Sequence, residues 1–235
     1  MNRKPGARPV RGRVLEIIEA MRGRTSVRAY LDKPVARETL EQVLEAARWA
    51  PSGTNTQPWR VLAAGGAVRQ RIVDALLAHA ASGGAPGAHY DYYPETFVEP
   101  YKSRRWRCGM QLYGALGIGI DDKPARQRAM LRNFEFFGAP LGLFFYIDRA
   151  MAKGSWVDMG MFLQNVMLAA RGYGLETCPQ FALAMYPDIV AQHIDTPQNH
   201  DLVCGMAIGY GDPDAPINQY RTERMAVDEF LSWAE

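Results

Sequence analysis

Leu40, Val43, Leu44 and Ala47 recur at the i, i+3, i+4, i+7 spacing that sets four apolar side chains on one helix face. The same spacing at Val14, Ile17, Ile18 and Met21 predicts a short earlier helix, ended near Gly23. Pro51 lacks the N–H that would extend the second helix and disfavours helical backbone at Ala50, so that helix stops there. Trp59 to Ala64 then reads as a strand closed by Gly65 and Gly66. Val68 to Ala81 is a third helix, and Ser82 to Gly87 is a clear break rich in glycine. Pro124 to Phe137 reads as a helix, and the unbroken apolar run Ala139 to Ile147 as a buried strand. Leu175 to Ala184, a short helix at Pro187 to Ile194 and a strand at Asp201 to Tyr210 complete an α+β pattern. A loop follows from Gly211 to Pro216, then a tail with a short helical end.

Ser155 to Arg171 carries the strongest helical signal. Ser155 with Asp158 three residues on is a capping signal, and Gly172 and Gly174 end the helix. Its interior is apolar on every face, from Trp156 and Val157 through Met159, Phe162 and Leu163 to Leu168, which demands burial on all sides. A subunit interface would supply that burial; a central core helix in a monomer is the other arrangement.

Composition narrows the setting. The chain has 235 residues, enough for one domain with a sizeable core, which we take as 14–235. Residues 1–13 hold five basic residues with prolines and glycines and no apolar run behind them, so they read as a flexible basic arm. A formal charge of +2 gives no argument for nucleic acid or membrane as a partner, and no stretch reaches the roughly 18 apolar residues of a membrane span. Cys108, Cys178 and Cys204 are scattered, with no Cys-x-x-Cys, so reduced thiols in a cytoplasmic protein are the simple reading.

Three stretches carry candidate chemistry. Pro51 to Trp59 is a polar loop pinned by a proline near each end, between a helix and a buried strand. Such a loop suits a binding site, and it equally suits a plain connection. Arg24, Ser26 and Arg28 alternate, so in extended backbone they share one face and match a phosphate monoester; arginines turned to water are the alternative. Tyr90 to Arg107 interleaves six aromatics with four basic residues. That mixture can stack on single-stranded nucleic acid, but the near-neutral chain shows no nucleic-acid motif. A hydrolase or metalloenzyme is unsupported: there is no Gly-x-Ser-x-Gly elbow or Walker loop, and the four histidines lack ligand spacing.

Pro51-Ser52-Gly53-Thr54-Asn55-Thr56-Gln57-Pro58-Trp59 resembles the signature of the FMN-dependent nitroreductase family. Arg24-Thr25-Ser26-Val27-Arg28, Thr177-Cys178-Pro179-Gln180 and Tyr220-Arg221-Thr222-Glu223-Arg224 are similar to three further family segments in the expected order. The resemblance implies a nitroreductase-like fold: a central, mostly antiparallel sheet flanked by helices, in an intertwined homodimer with FMN at the subunit interface. It implies an oxidoreductase that uses NADPH or NADH to reduce nitroaromatics in a ping-pong cycle, with the chemistry on the flavin and no catalytic side chain. Relatives on this fold also reduce quinones or activated alkenes, dehalogenate phenols or break down flavin itself, and a non-enzymatic flavin-binding module is a third reading.

The implied cofactor residues are Arg24, Thr25, Ser26, Val27, Arg28, Arg221 and Arg224 around the phosphate and ribityl chain. Ser52, Gly53 and Asn55 would line the flavin from the partner subunit, and Thr177, Cys178, Pro179 and Gln180 would run past the ring, the Gln180 N–H facing flavin N5. Cys178 stands alone and is read as a neutral neighbour, not a redox thiol. The insertion at about 85–137 would form a lid over a small aromatic substrate, with Tyr101, Arg104, Arg105 and Trp106 as substrate-binding residues. Similarity to members that act on nitrobenzoates makes Arg104 and Arg105 candidates for a substrate carboxylate.

Overall fold

The computed structural model describes residues 16–234. The basic stretch 1–13 and Val14 lie outside the described residues. The elements in chain order are α1 (Ile17–Gly23), α2 (Arg37–Ala47), β1 (Trp59–Gly65), α3 (Gly66–Ala81), α4 (Tyr101–Ala115) and α5 (Lys123–Leu131). They continue with β2 (Leu141–Asp148), α6 (Lys153–Gly172), β3 (Glu176–Gln180), α7 (Phe181–Ala184), α8 (Pro187–Ala191) and β4 (His200–Gly209).

The four strands form one antiparallel sheet in the order β1-β2-β4-β3. β2 and β4 are central and buried on both faces, which is why their sequences are unbroken apolar runs. Alternation divides β2: Leu143, Phe145 and Ile147 pack toward α2 and α6, while Phe144 and Tyr146 pack toward α3, α7 and α8. The β2–β4 register slips between Phe145 and Tyr146, so Val203 and Cys204 can both join the α2–α6 side while Leu202 joins the other.

α2 buries Leu40, Val43 and Ala47, three of the four positions its spacing selects. α6 spans the α2 side of the sheet, burying Met159, Phe162, Val166 and Ala170. Trp59, the first residue of β1, stacks flat on Phe162 at 4.6 Å, fixing the end of the polar loop to α6. α6 does not begin where the capping signal suggested: it starts at Lys153, and its N-cap, Ala152, supplies no side-chain bond. Nor is it buried all round, since Val157 is 65% exposed.

The helix expected over 124–137 ends at Leu131. Beyond it Phe136 and Phe137 take left-handed backbone, φ 53° and 55°, so that both rings enter the core beneath α3. Burying two aromatic rings outweighs continuing the helix. Gly142 on β2 makes room for one of them, because a Cβ there would lie 2.3 Å from the Phe136 ring. Gly142→Ala should therefore cost about 1–3 kcal/mol through overpacking. At roughly 2–4 °C per kcal/mol for a chain of this size, calorimetry should find a melting temperature lower by several degrees.

The region 85–137 holds α4 and α5, neither of which buries a residue within the chain. Its root is fastened by aromatics: Tyr92 stacks on Phe181 at 4.4 Å, and Tyr90 meets Phe181 and Trp156 edge-on. α1 buries only Ala20; Ile17, Ile18 and Met21, the apolar face of the pattern, point outward. Among the described residues no helix is long and apolar enough to cross a membrane, and no cluster could hold a metal ion.

Candidate functional site

After α1 the chain runs extended from Arg24 to Tyr30 along the free edge of β3. The Val27 N–H donates to Thr177 O at 3.1 Å, and buried Val27 seals the contact. This places Arg24, Thr25, Ser26 and Arg28 at a cavity of about 140 Å³ whose far wall is Asn218, Tyr220, Arg221 and Arg224. The N-terminal and C-terminal basic segments, about 190 residues apart in sequence, thus meet around one small space.

Nothing acidic lines it. Arg24 is half-buried, and its pKa is lowered first by that burial and then by Arg224 and Arg221 beside it. Among the described residues its side chain makes no hydrogen bond or ion pair. Arg28 is aimed: Nη1 donates to Ser26 O and to Tyr220 Oη, each at 3.1 Å. Arg221 donates to the carbonyls of Arg22 and Gly23 at the end of α1, the end that favours a cation. Arg224 Nη1 is held by Thr222 Oγ1 at 2.7 Å and by the Glu223 carbonyl at 2.8 Å. Converging guanidiniums of this kind repel one another until an anion enters.

Asn218, which sequence reasoning missed, sets the wall. Its Oδ1 accepts from the Arg28 N–H at 2.8 Å while Nδ2 donates to Ala29 O and Asp212 O. The only sequence signal was a side chain able to both donate and accept just before the basic tail.

The β3 segment lies behind the Arg24–Tyr30 stretch, joined to it through Val27, and none of its residues lines the cavity. Thr177 and Cys178 are buried, and burial pushes the Cys178 thiol pKa up, which keeps it a neutral thiol. Pro179 is exposed. Gln180 is buried, its Nε2 donating to Asn133 O at 2.7 Å and its Oε1 left without a partner. Arg28 also borders a second, more apolar cavity of about 610 Å³ between α4 and α5.

Ser52, Gly53 and Asn55 are elsewhere. They lie in the exposed loop over α6, and the chain does not bring them to the arginine cavity. The loop is strained: Thr54, Asn55 and Gln57 have φ of 49°, 60° and 48° without being glycine. It is held by Ser52 Oγ, which accepts from the Gln57 N–H at 3.0 Å, and by Asp158 Oδ2, which accepts from the Gly53 N–H at 3.2 Å. Asp158 is therefore an anchor for this loop and caps no helix.

The four lid candidates separate. Arg105 and Trp106 line a cavity of about 760 Å³, with the Arg105 guanidinium over Phe97 at 4.7 Å and Tyr93 at 5.3 Å. Arg104 faces the opposite side of α4, toward Arg224. Tyr101 borders neither cavity.

A family model described as the nitroreductase family matches residues 21–210. The nitrobenzene nitroreductase of Ectopseudomonas oleovorans is 39% identical over 219 residues, 92% of this chain and 96% of that protein. The 4-nitrobenzoate reductase of Pseudomonas putida is 38% identical over 208 residues, 88% of this chain and 90% of its own. Among solved structures, the FMN and NADPH-dependent nitroreductase NfnB of Sphigopyxis sp. strain HMH superposes with a TM-score of 0.91 at 40% identity, covering 94% of this chain and 100% of that one. The FMN-dependent NfnB of Mycobacterium smegmatis, solved with NADPH, gives 0.88 at 32% identity, covering 93% and 97%.

Proposed function

Because this chain belongs to the nitroreductase family, we propose that it is an FMN-dependent oxidoreductase using NAD(P)H to reduce nitroaromatic compounds, nitrobenzoates among them. The observation that carries the reading is the acid-free cavity ringed by Arg24, Arg28, Arg221 and Arg224. Its donor set suits a phosphate monoester: Arg28 is already oriented by Tyr220, and the Arg24 side chain has no partner among the described residues. The unpartnered Gln180 Oε1 at the end of β3 is a further buried polar atom beside the same segment. These features fit FMN, with the arginines on its phosphate and the β3 segment alongside its ring.

The chemistry supplied by bound FMN is acceptance of a hydride from nicotinamide and delivery of reducing equivalents to the nitro group. The protein's share is to bind and to orient. The arginines fix the phosphate end, buried Thr177 and Cys178 offer no ionised side chain to the ring, and the arm 85–137 walls off water.

We propose a homodimer as part of the same reading, with the loop of one chain completing the arginine site of the other. Ile17, Ile18 and Met21 on α1, Val157 on α6, and Phe230 and Trp233 near the C-terminus are exposed in the single chain and are the apolar side chains such a dimer would cover. We assign the protein to the cytoplasm on its reduced, unpaired cysteines.

The deciding experiment follows NADPH oxidation by the yellow holoenzyme. Consumption should require 4-nitrobenzoate or nitrobenzene. Turnover with quinones or iodophenols but not nitroarenes would move the protein to another branch of the family, and no turnover with any acceptor would make it a flavin-binding module. Of the cations lining the cavity beneath Tyr93 and Phe97, Lys102, Arg105 and Arg126, we propose Arg105 as the partner of a substrate carboxylate. Losing one charge-assisted bond there should raise the Arg105→Ala KM for 4-nitrobenzoate about tenfold. The KM for nitrobenzene should move far less; equal changes would remove Arg105 from this role.

A further inference from the structure

α4 separates its arginines. Arg104, Arg107, Cys108 and Gln111 fall at i, i+3, i+4 and i+7, and this polar face looks onto the tail from Thr222 to Glu229. Between them lies a cavity of about 420 Å³ that adjoins the phosphate pocket, since Cys108, Thr222 and Arg224 line both. The two spaces are neighbours, an inner one and an outer one.

The outer space also holds two carboxylates, which offset part of its charge but, among the described residues, leave Arg104 and Arg224 without an acidic partner. Glu223 lies 3.7 Å from Arg107 Nε, beyond the range of a charge-assisted hydrogen bond, and both side chains are solvent-exposed. Glu229 Oε1 is engaged by the Ala226 N–H at 2.7 Å. Arg104 has no side-chain partner among the described residues. Arg224 is pinned through Nη1 alone.

We propose that this outer cavity is a second phosphate-monoester subsite, and that it takes the 2′-phosphate on the adenosine ribose of NADPH. The protein then prefers NADPH to NADH through Arg104 and Arg107. The proposal rests on the reading of the inner pocket as the FMN phosphate site. Reach decides against a substrate carboxylate: in a nitrobenzoate the carboxylate sits one benzene ring from the reacting nitro group, whereas the ribityl chain holds the FMN phosphate well away from the flavin ring. An anion site beyond that phosphate is too far for a one-ring substrate. A dinucleotide is long enough to place nicotinamide at the ring and a second anion there. The aromatic face of α4, with Arg105, remains for the substrate.

The test uses FMN-loaded protein and calorimetric titration with 2′,5′-ADP, 5′-AMP and inorganic phosphate. Wild type should bind 2′,5′-ADP at least about tenfold more tightly than either of the others, the scale of one charge-assisted hydrogen bond. Arg104→Ala should erase that difference, Arg104→Lys should restore part of it, and the NADPH KM should rise far more than the NADH KM. Equal binding of 2′,5′-ADP and 5′-AMP, or inorganic phosphate as tight as 2′,5′-ADP, would overturn the assignment. So would parallel changes in the two KM values. Failure of the inner-pocket reading shows separately, as a protein that never acquires a flavin spectrum with FMN.

Discussion

Arg24→Ala should leave the purified protein nearly colourless. The guanidinium is half-buried, stands beside Arg224 and Arg221, and is bonded to nothing of its own chain among the described residues. Its burial and its like-charged neighbours cost free energy that only an anion recovers. A hydrogen bond to a charged partner contributes about 1.5–3 kcal/mol, so FMN should dissociate roughly 10–150 times more readily from Arg24→Ala. Adding Arg28→Ala, which removes the guanidinium held by Tyr220, should carry the loss beyond the range of a fluorescence-quenching titration. The apoprotein gives the complementary signal. Removing one of several crowded cations relieves repulsion, so apo Arg24→Ala should melt no lower than apo wild type. A dissociation constant within twofold of wild type would mean that the arginine cavity holds something other than FMN phosphate.

Asp158→Ala should produce the other large effect, at the opposite end of the site. Three consecutive-region residues, Thr54, Asn55 and Gln57, hold left-handed backbone without glycine. Each such residue costs about 1–3 kcal/mol and persists only where its surroundings over-determine it. Besides bonds within the loop itself, such as Gln57 Nε2 to Asn55 O and Ser52 Oγ to the Gln57 N–H, it is tied to α6 by the Trp59 stack on Phe162 and by the buried Asp158 carboxylate on the Gly53 N–H. Without the carboxylate the exposed loop relaxes toward less strained backbone. We expect kcat/KM and FMN affinity each to fall by about one to two orders of magnitude, a misplacement effect rather than a folding defect. Asp158→Asn keeps an acceptor of the same shape and should recover most of the loss. An alanine variant with wild-type FMN affinity and turnover would show that the loop needs no such anchor.

Much of this was legible in the chain because periodicity reports burial. Leu40, Val43 and Ala47 form the core face their spacing predicts, and the apolar run Ala139–Ile147, read as a buried strand, holds one that starts two residues later, at Leu141. The alternation of Arg24, Ser26 and Arg28 was enough to suggest one shared face, and the structure sets Arg221 and Arg224, which the family resemblance also named, opposite them. What stayed hidden depended on long-range packing. No local signal says that Phe136 and Phe137 will leave a helix to enter the core. The Ser155–Asp158 spacing satisfies a capping rule, yet Asp158 is committed to a loop about 100 residues earlier. Helix α4 was obscured by its own composition: its arginines divide between two faces, Arg105 beside Trp106 and Arg104 with Arg107 on the other, so a reading blind to direction took Arg104 and Arg105 as one pair.

The separation of the strained loop from the arginine cavity within one chain has a genetic consequence. Under the proposed dimer, every site is built from two gene products, its basic half from one and its loop from the other. A chain damaged at Asp158 and a chain damaged at Arg24 then carry complementary lesions. Paired together, they place both lesions in one site and leave the other whole. Two inactive alleles expressed in the same cell can therefore restore activity, up to half the sites of each mixed pair.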